Sequence, residues 1–151
     1  MAYKYSTKAE ENNAKAVGVG LPISTKQSVM ICQYVRGKKL QMAKQMLSET
    51  IGLKKPVPFT RFTNGLGHKP GKMAAGRFPI KACQHILEII ETAEANAQFK
   101  GLSTPDLVVK HISAQKAANT WRYGRQSRIK AKRTHVEVVL EEKKAKKEAK
   151  Q

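Results

Sequence analysis

The chain has 151 residues, and its 29 Lys and Arg against 11 Asp and Glu give a formal net charge of +18. This length fits one domain with extensions, and the charge predicts a polyanionic partner, most commonly nucleic acid, because like charges oppose a compact fold. No stretch has the apolar length of a signal peptide or a membrane span, and none pairs a cationic helix face with bulky apolar anchors. The sequence therefore favours a cytosolic protein over a membrane-surface one.

The first half of the chain is predicted to hold one strand and two helices. Residues 14–23 are apolar and are broken by Gly and Pro, which favours a strand that leads into a turn. Ser24 or Thr25 can cap a helix that runs to about Arg36, and a second helix has apolar residues three and four positions apart between Leu40 and Ile51. Three basic residues cluster at the C-terminal end of the first helix, where cations suit the helix dipole: Arg36, Lys38 and Lys39.

Residues 57–78 form a basic segment that is rich in Gly and Pro. The segment is too long and too polar for an ordinary connection in a compact domain, so it is either functional or disordered. The run from Gly65 to Lys72 resembles a phosphate-binding P-loop, but Leu66 stands where that motif needs Gly, and Met73 stands where it needs Ser or Thr. A flexible loop whose glycines admit a phosphate is the better interpretation. Its candidate RNA contacts are Arg61, His68, Lys69, Lys72 and Arg77.

A third helix is predicted to start at Pro79 and to end at Gly101, with one apolar stripe along it. Its polar face carries acidic residues, and we expect this face to meet water rather than phosphate. The acidic residues are Glu88, Glu91 and Glu94.

Neither metal binding nor catalysis is predicted. The cysteines, Cys32 and Cys83, lie in apolar helical patterns and are expected to be reduced core residues, and no pair of His or Cys has zinc-site spacing. His111 and His135 lie in two predicted strands and could face one another, but a metal would still lack two ligands. The clustered carboxylates lack apolar surroundings, and no Ser, Cys and His arrangement has motif spacing. The sequence gives no reason to expect an enzyme or a cofactor.

Residues 115–135 are the most informative part of the chain. They join two predicted strands, 107–113 and 136–140, and they contain basic residues but no acidic one. Such a run is most often a solvated charged loop, but the flanking strands, the aromatic residues among arginines and a central Gly124 favour a hairpin that projects from the domain and is ordered by RNA. The candidate stacking residues are Trp121, Arg122, Tyr123 and Arg125. Further candidate contacts are Lys116, Arg128, Lys130, Lys132, Arg133 and His135.

Several stretches resemble one protein family in the correct order. They are Ile23-Ser24, VRGK at 35–38, PVPF at 56–59, GLGHK at 65–69, AGRFP at 75–79, AEANA at 93–97 with Gly101-Leu102, and RTHVEVVL at 133–140. Together they resemble the universal large-subunit ribosomal protein family L twenty-two (L seventeen in eukaryotic naming), in its archaeal or eukaryotic form. The Gly-rich segment 57–78 fits that branch and is absent from bacterial members.

The resemblance implies a small α+β domain on the outside of the large ribosomal subunit, near the exit of the peptide tunnel. It also implies a long hairpin that passes through ribosomal RNA and forms part of the tunnel wall. The family's tip usually carries Pro-Arg-Ala before a Gly-Arg pair, whereas here residues 119–123 replace that approach. The residues implied for the tip are Arg122, Tyr123, Gly124, Arg125 and Gln126.

The sequence therefore predicts an α+β protein in which a three-stranded antiparallel sheet packs with about three helices, and from which the long hairpin and the basic loop depart. We expect an N-terminal extension at 1–13, one RNA-binding domain at 14–142 and a charged tail at 143–151. The predicted function is a cytoplasmic structural constituent of the large ribosomal subunit. Its expected partners are large-subunit ribosomal RNA, neighbouring ribosomal proteins and the nascent peptide, without cofactor, membrane or small-molecule substrate. The alternatives are a free-standing regulatory RNA- or DNA-binding protein and a nucleotide-dependent enzyme.

Overall fold

The structure, a computed structural model, describes residues 3–7 and 12–143. In chain order its elements are β1 (Asn13–Leu21), α1 (Thr25–Val35), α2 (Leu40–Ile51), β2 (Val57–Pro58), β3 (Gly76–Arg77), α3 (Ile80–Phe99), β4 (Leu107–Lys116), β5 (Thr120–Trp121), β6 (Lys130–Ala131) and β7 (Thr134–Glu142). Short 3-10 turns lie at Thr104–Asp106 and Gly124–Gln126. The predicted α+β class, with three helices and an antiparallel three-stranded sheet, is confirmed. The predicted charged tail, apart from Lys143, lies outside the described residues.

The main sheet has the strand order β1-β7-β4, and both pairings of the central strand are antiparallel. The register places His135 opposite Gln115 and His111 opposite Val139. The expectation that the two histidines could face one another is therefore wrong, because His135 lies near one end of the paired region and His111 lies in its middle. Instead, His111 lies beside Glu137 on the same face, with Nε2 3.1 Å from the Glu137 carboxylate.

The core lies between one face of this sheet and the helices. Alternate residues of β7, namely Val136, Val138 and Leu140, point into it, because successive side chains of a strand point to opposite faces. Each such side chain contributes about 1.5–3 kcal/mol when fully removed from water. Cys32 and Cys83 are both free and buried in this core, as predicted, and burial raises the pKa of each thiol to about 12.

Strand β1 approaches α3 closely at Gly18. A Cβ atom at this position would lie 2.5 Å from Ile89 Cδ1 and 2.9 Å from Leu21 Cδ1. The absence of a side chain therefore sets the distance at which the helix crosses the strand.

The N-terminal residues 3–7 cover part of the opposite face of the sheet. The backbone N–H of Ser6 donates to the Glu137 carboxylate at 3.2 Å, and the Ser6 hydroxyl donates to it as well. The Ser113 hydroxyl donates to the same carboxylate at 2.8 Å. Glu137 is fully buried, so these hydrogen bonds replace the water that it loses on folding.

Candidate nucleic-acid interface

The segment between β4 and β7 continues their hairpin beyond the body of the protein; we call residues 117–133 the arm. The Ala117 N–H donates to the Arg133 carbonyl at 3.1 Å, β5 pairs with β6, and the Arg122 N–H donates to the Ile129 carbonyl at 2.9 Å. At the tip, Gly124 has a φ of 70°, in the left-handed region that favours glycine. Residues 121–130 are all exposed, and a fully extended chain from Lys116 to the tip would span at most about 26 Å. The arm therefore extends without a core of its own.

Two aromatic rings of the arm face solvent among cations. Tyr123 is 97% exposed and Trp121 is 56% exposed. Lys130 Nζ lies 4.4 Å from the Trp121 ring centroid, a cation–π distance, and Arg122 Nη1 donates to Gln126 Oε1 at 3.4 Å. Exposed rings and guanidinium planes can stack on unpaired bases, and this is the chemistry that the sequence predicted for these positions.

Residues 57–78, the basic loop, are closed at their base by a short ribbon. Strands β2 and β3 pair, the Phe59 N–H donates to the Ala75 carbonyl at 2.9 Å, and the Lys69 N–H donates to the Ala74 carbonyl at 3.0 Å. Lys69 Nζ lies 5.6 Å from the centroid of the Phe78 ring. The other predicted contacts of this loop are exposed: Arg61, His68, Lys72 and Arg77.

The basic loop and the base of the arm meet beside the first turn of α1. A cavity of about 440 Å³ is lined there by residues of all three segments, among them Ser24, Lys26, Phe62, Lys116, Asn119 and Lys132. Sequence reasoning missed Lys26 and Phe62. The signal that could have found Phe62 is its position next to Arg61. An aromatic residue next to an arginine is also the pattern by which the sequence indicated the arm.

The predicted cluster at the end of α1 lies far from this meeting point. The Gly37 N–H donates to the Val109 carbonyl at 2.9 Å, and Lys39 pairs with Val108, so Arg36, Lys38 and Lys39 sit where β4 begins. The arm leaves where β4 ends, about 23 Å away at strand rise. Arg36 Nη2 also donates to the Ile112 carbonyl at 2.8 Å, which gives this side chain a contact within the protein.

Two predicted contacts at the root of the arm hold the arm to β1. The Gly20 N–H donates to His135 Nδ1 at 3.1 Å, and Arg133 Nη1 donates to the Gly20 carbonyl at 3.3 Å. Both side chains belong to half-buried residues. They position the arm within the protein, and their contact with RNA stays a prediction.

Acidic residues avoid both basic segments. Residues 57–78 and 115–135 contain none, whereas Glu88 and Glu91 are exposed on α3, and Glu94 forms an ion pair with Lys44.

Within residues 3–7 and 12–143, no three His, Cys, Asp or Glu side chains come together as a metal site would require. In the same part of the chain, no helix is long and apolar enough to cross a membrane.

A small α+β body with a cationic loop and a cationic, coreless arm has the features of a nucleic-acid-binding protein. The sequence profile of one family, Ribosomal protein L22p/L17e, matches residues 16–141, and the chain belongs to this family. Similar proteins named Large ribosomal subunit protein uL22 come from Methanocaldococcus jannaschii (40% identical, covering 87% of this chain and 89% of that protein) and Archaeoglobus fulgidus (38%, covering 92% and 94%). A third, from Methanococcus aeolicus, is 41% identical over 93% of this chain and 95% of its own length.

Proposed function

We propose that this protein is a structural constituent of the large ribosomal subunit that binds and organises large-subunit ribosomal RNA in the cytoplasm. The observation that carries the proposal is membership of a ribosomal protein family over residues 16–141, a stretch that includes the basic loop and the whole arm. The family is structural rather than enzymatic, in agreement with a sequence that offers no catalytic motif.

The proposed mechanism uses the two basic segments for different tasks. Cations of the basic loop and of the arm neutralise phosphates where RNA helices crowd together, and each neutralised phosphate releases counterions. The arm passes between RNA segments and fixes their relative positions. Its exposed, coreless residues support this, because a hairpin of this kind is marginal alone in water and is ordered by its partner.

The proposed RNA contacts fall into three groups in the structure. The first group comprises residues of the arm and of the strand ends that flank it: Lys116, Trp121, Arg122, Tyr123, Arg125, Arg128, Lys130, Lys132, Arg133 and His135. The loop group comprises Arg61, His68, Lys69, Lys72 and Arg77. The third group, Arg36, Lys38 and Lys39, lies at the other end of β4 and would touch a separate RNA segment. We place all three groups on one domain, residues 14–142, which carries residues 1–13 as an extension and residues 143–151 as a tail.

We further propose that the tip of the arm, residues 122–126, lines the wall of the nascent-peptide tunnel, and that the body lies against neighbouring ribosomal proteins. Two observations support this position of the tip. Tyr123 is the most exposed aromatic residue of the arm, and Gly124 has a left-handed backbone, so the tip is a tight turn whose side chains are free to contact a passing peptide. A photoreactive amino acid at position 123 should crosslink to ribosomal RNA and to stalled nascent peptides. Crosslinks to RNA alone would place the tip away from the tunnel.

Sedimentation tests the proposed function. In a lysate, the tagged full-length protein should travel with the large subunit at salt concentrations that leave subunits intact. A protein that stays in the light fractions would instead be a free-standing RNA- or DNA-binding regulator, which uses the same surface chemistry.

A further inference from the structure

Phe62 of the basic loop has a backbone conformation that a bulky residue seldom adopts. Its φ is 59°, in the left-handed region, and its side chain is 44% exposed. Strained backbone conformations of this kind cluster at binding and active sites. Burial does not account for it, because nearly half of the side chain remains in water.

Lysines from α1 and from both sides of the arm's base line the same cavity as this ring. Lys26 Nζ, from the first turn of α1, lies 5.6 Å from the Phe62 ring centroid. Lys116 and Lys132 reach the same cavity from the two sides of the arm's base. Among residues 3–7 and 12–143, none of these three lysines forms an ion pair with a carboxylate. Their charges converge on the cavity without an internal counter-ion.

The first turn of α1 adds to this positive potential. Ser24 is the N-cap of the helix, yet its side chain makes no capping hydrogen bond, so N–H groups at the start of the helix remain open to an anion. The cavity of about 440 Å³ falls within the range of small-molecule sites, roughly 300–1,000 Å³. It offers one aromatic face, several cations and open donors, which are the groups that a nucleotide needs.

We propose that this cavity binds a single unpaired RNA nucleotide, whose base stacks on Phe62 and whose flanking phosphates meet Lys26, Lys116 and Lys132. The proposal rests on the proposed function, since RNA is the ligand, and it adds Phe62 and Lys26 to the contacts inferred from the sequence and joins them to Lys116 and Lys132 in one site. The base must be unpaired, because only an unstacked base exposes a face to the ring. A nucleotide held here would join the basic loop to the base of the arm.

Fluorescence anisotropy with two labelled probes of equal phosphate number tests the proposal on the full-length protein. One probe is a hexa-adenylate RNA, and the other is an abasic hexamer of the same backbone. The wild type should bind the adenylate more tightly. Phe62→Leu should weaken adenylate binding about 5- to 150-fold, the usual effect of losing one stacked base, and should leave the abasic probe unchanged. Phe62→Trp should keep the preference for the adenylate.

Phe99→Leu is the matched control, because Phe99 is 94% exposed at the end of α3 and should not alter either affinity. Phe62→Gly gives a second variant of the site: glycine fits the left-handed backbone, so this protein should fold and show the same selective loss of adenylate affinity as Phe62→Leu. Equal losses for both probes, or no loss, would overturn the proposal by making Phe62 a residue that only shapes the loop. A wild type without any preference for the adenylate would overturn it too, while co-sedimentation with the large subunit would leave the proposed function standing.

Discussion

Glu137 is a fully buried carboxylate in a strongly cationic chain, and it fastens the N-terminal residues to the sheet. Burial by itself raises the pKa of its carboxyl, but hydrogen bonds from Ser6, Ser113 and His111 outweigh burial and hold that pKa below the ordinary value of 4.5. The Tyr3 hydroxyl, 3.5 Å from the same carboxylate, has its pKa raised by burial and by the charge of Glu137. The ionised form of Glu137 is therefore the form that the fold prefers.

The lowered pKa predicts how stability depends on pH. Ionised Glu137 stabilises the fold above its unfolded pKa, near 4.5, and this contribution is lost as the pH falls through the lower folded value. Glu137→Gln should lower the free energy of unfolding at neutral pH by about 1–3 kcal/mol, the cost of disturbing a buried hydrogen-bond network. Urea unfolding between about pH 3 and pH 7 should show a flatter acid dependence for this variant. The exposed Glu91→Gln is the control, and parallel curves for wild type and Glu137→Gln would contradict the prediction.

At the scale of elements, the crossing of β1 and α3 depends on Gly18. Gly18→Ala should destabilise the fold by about 1–3 kcal/mol, because the new methyl group enters the space of Ile89 Cδ1. Ile89→Val removes that atom, so the double variant should recover part of the loss. Thermal unfolding of the four proteins gives the coupling energy of the cycle. If the free-energy changes of the two single variants simply add in the double variant, the contact between position 18 and Ile89 does not set the packing of α3 on β1.

Removal of the arm's outer half should leave the body intact. The deleted segment, residues 120–126, is exposed throughout and includes β5 and the tip turn but no core residue. We expect the circular dichroism of the helices to be unchanged and the unfolding midpoint to move little, because hydrophobic burial supplies most of the stability. RNA binding should weaken and persist through the basic loop. Loss of the cooperative unfolding transition would show instead that the arm is integral to the fold.

The helices could be predicted from local sequence signals, whereas the contacts between segments that are distant in the sequence could not. Apolar spacing between Leu40 and Ile51, and the stops at Pro and Gly, predicted the helices because these signals act within a few residues. The meeting of Phe62 with the base of the arm joins positions more than fifty residues apart, and only the packed body brings them together. The register that separates His111 from His135 and the docking of Ser6 on Glu137 likewise depend on tertiary pairing.

In the molecule as a whole, basic and acidic residues are partly separated between the two ends of the main sheet. The arm leaves at the end where Leu21 pairs with Thr134, and Lys81 near the start of α3 lines a cavity with arm residues there. At the opposite end lie the partners Asn13 and Glu141, together with Asp106 and Glu142. Lys38 and Lys39 also lie at that end, so basic and acidic residues are not completely separated. We propose that the end that carries the arm and the basic loop, two segments without acidic residues, sets the direction in which the protein enters RNA.

This polarity predicts that the position of a charge matters more than the total charge. Arg125→Gln with Arg128→Gln removes two cations from the arm, and Lys54→Gln with Lys55→Gln removes two exposed cations after α2. The arm pair should lower the slope of log affinity against log salt for large-subunit ribosomal RNA by about 0.7–0.9 for each phosphate that is no longer neutralised, whereas the control pair should leave the slope nearly unchanged. Filter binding across monovalent salt concentrations measures both slopes on equally charged proteins. If the two pairs lower the slope equally, the protein binds RNA through its net charge, and the arm has no special part in holding phosphates.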